Sequence, residues 1–335
     1  MTLGRVVAGW WLVAVGLGVT SCGRYRDFTL PVQPGGPEVA WHWEARPDPV
    51  LQRGSAGEWD AVDVLNPSVI RQGDAYYNLF SGFDGKTWST GLAVSADGIV
   101  WQKEGQILAP DPHTWEGSAI AANGSFVAGD RGGLLYYYQA GEPNQIGLAR
   151  STNGHLWERN GPAVLGPGPR GSWDERGVGD PDVIRTGGRF YMFFLGMDRA
   201  RRQRLGVAVS DDGITWTKLR RNPILELGEY GAFDEADLGE PAVWISRGYY
   251  WMLYTGNDRG NLRRLGMARS RNGVDWQKLP LVITGDQPWD SKVVCDPTVV
   301  VNGDHVTVWF GGGDVPSRDH NLHGQIGVGT LTPER

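Results

Sequence analysis

From Val178 to Leu219 the chain alternates short apolar runs with turn residues. Val178–Arg185 and Arg189–Leu195 flank Gly187-Gly188; a loop at Gly196–Arg199 leads to Leu205–Ser210, and Asp212-Gly213 leads to Trp216–Leu219. Runs this short, rich in Val, Phe, Tyr and Trp and bounded by Gly and Asp, predict strands rather than helices. Four of them joined by tight turns predict an antiparallel meander.

The same pattern recurs along the chain. Ser-x-(Asp/Asn)-Gly-x-x-Trp begins at Ser95, Ser151, Ser210 and Ser270, and its tryptophans, Trp101, Trp157, Trp216 and Trp276, lie 56, 59 and 60 residues apart. Asp-Gly and Asn-Gly favour hairpins because both residues tolerate positive φ. A second marker, an aromatic followed by an acid, occurs five times: Trp59-Asp60, Trp115-Glu116, Trp173-Asp174, Phe233-Asp234 and Trp289-Asp290. Five equal units of four strands predict an all-β fold, a five-bladed β-propeller of antiparallel blades. The last unit lacks its fourth turn and Trp. The stretch Trp41–Leu51 matches Trp216–Leu225 and is expected to supply the missing outer strand, closing the ring. A pair of β-sandwiches would explain the strands but not five equal units.

Composition agrees. Gly contributes 50 of 335 residues, about twice its usual share. A net charge of −6 argues against a nucleic-acid partner, which calls for a basic face. At the N-terminus Arg5 precedes an apolar run, Val6–Val19, followed by Thr20-Ser21-Cys22. That run is shorter than the ~20 residues of a membrane span and suits a signal h-region. Small residues directly before a cysteine resemble a bacterial lipobox. Residues 1–21 are therefore expected as a lipoprotein signal peptide, Cys22 as the lipidated residue, 22–40 as a Pro/Gly-rich tether and 41–335 as the propeller. The protein would be extracytoplasmic, held to the bacterial cell envelope by an N-terminal lipid (at the outer membrane or cell surface in a Gram-negative organism). With Cys22 so used, Cys295 has no disulfide partner.

The topology also locates a candidate site. Six residues after each acid of the second marker stand Asn66, Ala122, Asp180, Glu240 and Asp296, and four of the five precede proline. At the start of each inner strand they are expected to ring the mouth of the channel. Three carboxylates converging there raise one another's pKa and are candidates for acid–base chemistry. The loops between the second and third strands place Asp84, Asp198, Arg199, Asp258, Arg259 and Asp314 on the same face as candidate substrate-binding residues. His320 and His323 lie in such a loop too and read as surface or sugar-bonding groups; no metal site and no cofactor are expected.

With Asp-Pro and Glu-Pro at the inner strands, the repeat resembles the arabinanase/levansucrase/invertase superfamily of propeller glycosidases, which includes glycoside hydrolase families 32, 43, 68 and 130. The resemblance runs from about Trp41 to Thr330. It implies a carbohydrate ligand and cleavage of a glycosidic bond. Under the family 43 and 32 pattern, Glu240 falls in the general-acid slot, Asp180 in the stabiliser slot, and the first slot holds Asn66, which cannot act as nucleophile or base. A base recruited from Asp60, Asp63 or Asp296, or a non-catalytic glycan-binding protein, would follow. Under the family 130 pattern of mannoside phosphorylases and mannosidases, Asn66-Pro67 is native to the site and Asp180 is the acid. Gly179 and Asp182 then replace that family's Glu and Arg, which weakens phosphorolysis and leaves hydrolysis. Asn66 would hydrogen-bond a sugar hydroxyl.

Overall fold

The computed structural model describes residues 24–129 and 132–334. Residues 1–21, expected as a signal peptide, and Cys22 therefore lie outside the described residues. Among the described residues there are only strands and turns, with no helix long and apolar enough to cross a membrane.

Two strands, β1 (Tyr25–Arg26) and β2 (Trp41–Ala45), precede the repeats. The first unit is β3 (Asp63–Gln72), β4 (Ala75–Phe83), β5 (Trp88–Ser95) and β6 (Gln102–Leu108). The second is β7 (Ile120–Ala128), β8 (Leu134–Ala140), β9 (Gln145–Ser151) and β10 (Glu158–Arg159). The third is β11 (Gly177–Thr186), β12 (Arg189–Met197), β13 (Gln203–Ser210) and β14 (Thr217–Leu219). The fourth is β15 (Asp237–Ser246), β16 (Tyr249–Asn257), β17 (Arg263–Ser270) and β18 (Trp276–Ile283). The fifth has β19 (Val293–Asn302), β20 (His305–Gly313) and β21 (Gln325–Pro333), and β2 pairs antiparallel with β21 as its fourth strand, Trp41 opposite Pro333 and Ala45 opposite Gly329. Each unit is an antiparallel meander.

The repeated turn explains its own sequence. Ser95 Oγ accepts the Gly98 N–H, and Asp97 Oδ1 accepts the N–H groups of Ile99 and Val100. Gly98 has φ +74°, and Trp101 Nε1 donates to its carbonyl. A Cβ at Gly98 would also strike Trp309 of the fifth unit, so the glycine serves both the turn and the packing between units.

The aromatic-acid marker is structural. Asp60 pairs with Lys103, Glu116 with Arg159, Asp174 with Lys218 and Asp234 with Lys278, each cation lying on the unit's own outer strand. In the fifth unit that place, opposite Gly329, belongs to Ala45 of the borrowed strand, and burial holds the Asp290 carboxyl above its usual range.

Apolar clusters fill the contacts between successive units. One joins the third and fourth units through Phe193, Val207, Tyr250 and Tyr254; another joins the first and fifth through Val64, Phe80, Trp309 and Ile326. Polar side chains tie units together as well. The hydroxyls of Ser68, Ser125 and Thr298 accept the N–H groups of Phe126, Val183 and Val69, and Asp182 Oδ2 accepts that of Val243 at 2.8 Å.

Residues 24–40, expected as a tether, are docked over the third and fourth units. β1 adds parallel to β14. Leu30 is 1% exposed in the core, its N–H bonded to the Asn272 carbonyl, and Gln33 and Gly35 donate to Arg271 and Gly248. Pro and Gly here follow a surface path instead of leaving the chain free; the apolar side chains of Phe28 and Leu30 supply the driving force.

Candidate active site

Every inner strand is interrupted at the same place. The ladders break between Leu65 and Ser68, Ala122 and Ser125, Gly179 and Asp182, Gly239 and Ala242, and Cys295 and Thr298. In each break one residue is left-handed: Asn66 (φ 47°), Asn123 (49°), Asp180 (43°), Glu240 (50°) and Asp296 (52°). Backbone conformations of this kind are costly for non-glycine residues and mark positions held for a purpose. Such a bulge turns the side chain out of the sheet's alternation. All five line one cavity of about 500 Å³.

One expected member is corrected. Ala122 is buried in its ladder opposite Gln139, and Asn123 takes the axial place. The second unit carries one extra residue after its acid, so a fixed count of six lands one short. Ser125, two past Asn123 as Ser68 is two past Asn66, is the signal that aligns them.

The carboxylates sit in unlike surroundings. Burial first, and then the charge of Glu240, push the Asp180 carboxyl up to about 8. Asn123 Nδ2 donates to Asp180 Oδ1 at 3.3 Å, and the Asp180 N–H donates to Gln139 Oε1 at 3.2 Å. Asp296 is also raised, by burial and by Glu240. Its Oδ2 accepts the Cys295 thiol at 3.1 Å and the Asn66 N–H at 3.2 Å, while its own N–H donates to Glu240 Oε2 at 3.2 Å. Glu240 lies 3.7 Å from Arg263, the first residue of β17. Glu240, Cys295 and Asp296 each offer an atom within 4.8 Å of the others, a grouping that could hold a metal. Here the Arg263 cation supplies the positive charge, and the thiol keeps its proton as a donor.

The six residues expected on the loops do not join this cavity. Asp84 caps its own loop, accepting the N–H groups of Lys86 and Thr87. Asp198 is bound by Arg202 and Arg204, and Asp258 by Arg264. Arg199 and Arg259 pair with Glu175 and Glu235, and Asp314 meets His323 Nδ1 at 2.8 Å. Short acids beside glycine satisfy local N–H groups before they can reach a ligand. The cavity instead takes Arg263, Asp237, Arg318, Asp319 and His320. Of these, His320 stands in a loop the sequence already placed on this face, and Asp237 had a signal that was not used: like Asp63, it stands three residues before an axial residue.

Residues 75–287 match the family model described as the glycosyl hydrolases family 32 N-terminal domain. An uncharacterized protein of Mycobacterium tuberculosis (strain ATCC 25618 / H37Rv) is 27% identical over 231 residues, 63% of this chain and 75% of that one. A 1,2-beta-oligomannan phosphorylase of Thermoanaerobacter sp. (strain X514) is 29% identical over 134 residues, 37% of this chain and 44% of that one. Among solved structures, a family 117 glycoside hydrolase of Zobellia galactanivorans superposes with a TM-score of 0.64 at 17% identity, covering 88% of this chain and 90% of its own.

Proposed function

The chain belongs to the glycosyl hydrolases family 32 N-terminal domain family, and from that premise we propose that it is a glycosidase whose proton donor is Asp180. The observation that carries this is the Asp180 carboxyl, held neutral up to about 8 on the wall of a cavity it shares with the Glu240–Arg263 pair. A donor to a leaving sugar oxygen must hold its proton at working pH. Glu240, tied to a buried cation, is the weaker candidate for that role and instead raises its neighbour's pKa. Asn66 and Asn123 are neutral groups suited to hydrogen-bond sugar hydroxyls.

In this reading the five units are the blades of one propeller, closed by the pairing of β2 with β21. Water is favoured over phosphate as the attacking species: Arg263 and Arg318, the two arginines of the cavity, are already paired with Glu240 and Asp237. The matched relative named as a phosphorylase makes phosphate the competing nucleophile. We place the protein at the cell envelope through Cys22.

The test incubates the protein with arabinan, xylan, fructan and mannoside oligosaccharides, with and without phosphate, and analyses the products by mass spectrometry. Free sugar from the unaltered protein and none from Asp180→Asn, with binding retained, is the expected result. Full turnover by Asp180→Asn overturns the assignment. A sugar 1-phosphate formed only with phosphate selects phosphorolysis.

A second reading, glycan binding without catalysis, is favoured by Asn66 and Asn123 standing at two of five axial positions. It predicts binding without product in the same assay.

A further inference from the structure

The chain enters the fold at the end opposite the cavity. The third strand of each of the first four units starts beside the cavity, where Trp88, Asn144, Gln203 and Arg263 stand. These strands, β5, β9, β13 and β17, are seven or eight residues long. The Ser-x-(Asp/Asn)-Gly-x-x-Trp turns that follow them therefore lie about 25 Å from the cavity, on a common turn face. β1 runs parallel to β14, which leaves one of these turns, and the Arg24 carbonyl accepts the Lys218 N–H. Arg24 is thus at the turn face, two residues past Cys22.

Little chain separates Cys22 from the folded body. Two residues span at most about 7 Å. From Arg24 onward the segment is fastened: β1 pairs with β14, Leu30 is in the core, and Gln33 and Gly35 donate to the carbonyls of Arg271 and Gly248. A lipid on Cys22 would draw the turn face itself against the bilayer.

That face carries apolar side chains that the turns do not use. The fifth and sixth residues of the motif serve the turn through their N–H groups, which donate to Asp97, Asn153 and Asp212. Thr215 and Asp275 show that a polar side chain suffices at the sixth position. Val100 and Leu156 nevertheless stand there, 73% and 77% exposed. Ile214 is exposed at the fifth position of the third unit, and Val32 of the docked segment is 67% exposed. In the fourth unit the residue corresponding to Ile214 is Val274, and it is buried in one cluster with Leu30. The N-terminal segment covers that turn and leaves the other three bare.

We propose that the turn face is a membrane-seating surface, with Val100, Leu156, Ile214 and Val32 entering the interfacial layer of a lipid bilayer. The inference rests on the reading that Cys22 is lipidated. A few apolar side chains suffice, because the attached lipid already holds the face at high local concentration. Arg189 and Arg247, at the same end, pair with Asp211 and Asp304, so the contact is apolar rather than a match to headgroup charge. The cavity consequently opens away from the bilayer, where a soluble glycan chain can enter it.

The test reconstitutes the full chain, produced with its own N-terminus, into vesicles of phosphatidylethanolamine and phosphatidylglycerol that contain a nitroxide-bearing lipid. Val100→Cys, Leu156→Cys and Tyr230→Cys are each labelled with a fluorophore; Cys295 is buried and stays unlabelled. Tyr230 is the control at the cavity end: it is 85% exposed and lies under Arg259 of the loop joining β16 to β17. Quenching by the nitroxide lipid should be about fivefold or more stronger at positions 100 and 156 than at 230, since insertion to interfacial depth brings only the turn face within reach. Equal quenching at the three positions, or stronger quenching at 230, overturns the seating surface and leaves the lipidation of Cys22 standing. An N-terminal peptide without an acyl group in mass spectrometry overturns both.

Discussion

Replacing Asp182 with Asn should make the protein less sensitive to alkaline pH. Asp182 accepts the Val243 N–H at 2.8 Å between the third and fourth units, and burial pushes its carboxyl up to about 7. In the unfolded chain the same carboxyl ionises near 3.9. Between those values the folded state binds the extra proton, so this carboxyl's contribution to stability falls as pH rises and is lost above about 7. The slope is about 1.4 kcal/mol per pH unit, and the whole window amounts to about 4 kcal/mol as a ceiling. Asn keeps the acceptor oxygen but never ionises. Urea unfolding of both proteins at pH 4.5, 6 and 8 isolates the effect, because Asp180 and Asp296, also raised, are present in both. The difference in stability should shift toward the variant by several kcal/mol from pH 4.5 to 8. A difference that stays flat across pH would refute the reasoning, since it would mean that Asp182 is already ionised in the fold.

Three further outcomes are expected. The rate of sugar release should fall as pH rises through about 8, because Asp180 loses the proton it donates, and a pH profile of kcat/KM checks this. Lys218→Met should cost about 3–5 kcal/mol by leaving Asp174 buried without its cation, and Lys218→Met combined with Asp174→Leu should recover most of that in denaturant unfolding. Leu30→Ala should cost about 2–5 kcal/mol, because the segment before β2 is core-packed; an unchanged melting temperature would return it to the role of a tether.

The Ser-x-(Asp/Asn)-Gly-x-x-Trp turns were legible because every bond that makes them lies within the motif. The axial Asp180, Glu240 and Asp296 were legible because the repeat carries a known position from unit to unit. The repeat count breaks at Asn123, where one inserted residue shifts it, and it does not foresee that the loop acids are taken up by N–H groups and side chains close by in the chain. Asp319 and Arg318 were out of reach, because their loop, residues 314–324, is longer than its counterparts in the other units and no repeat position aligns with them.

By itself, then, the sequence determined the strands, the turns, the repeat and the borrowed strand β2, all set by local hydrogen bonding and by a pattern that recurs. Only the tertiary structure decided which carboxyl keeps its proton and how the loop of Asp319 is held. Those properties depend on burial and on partners distant in the chain: Glu240 and Asn123 around Asp180, Asp63 and Asp237 around the loop of Asp319.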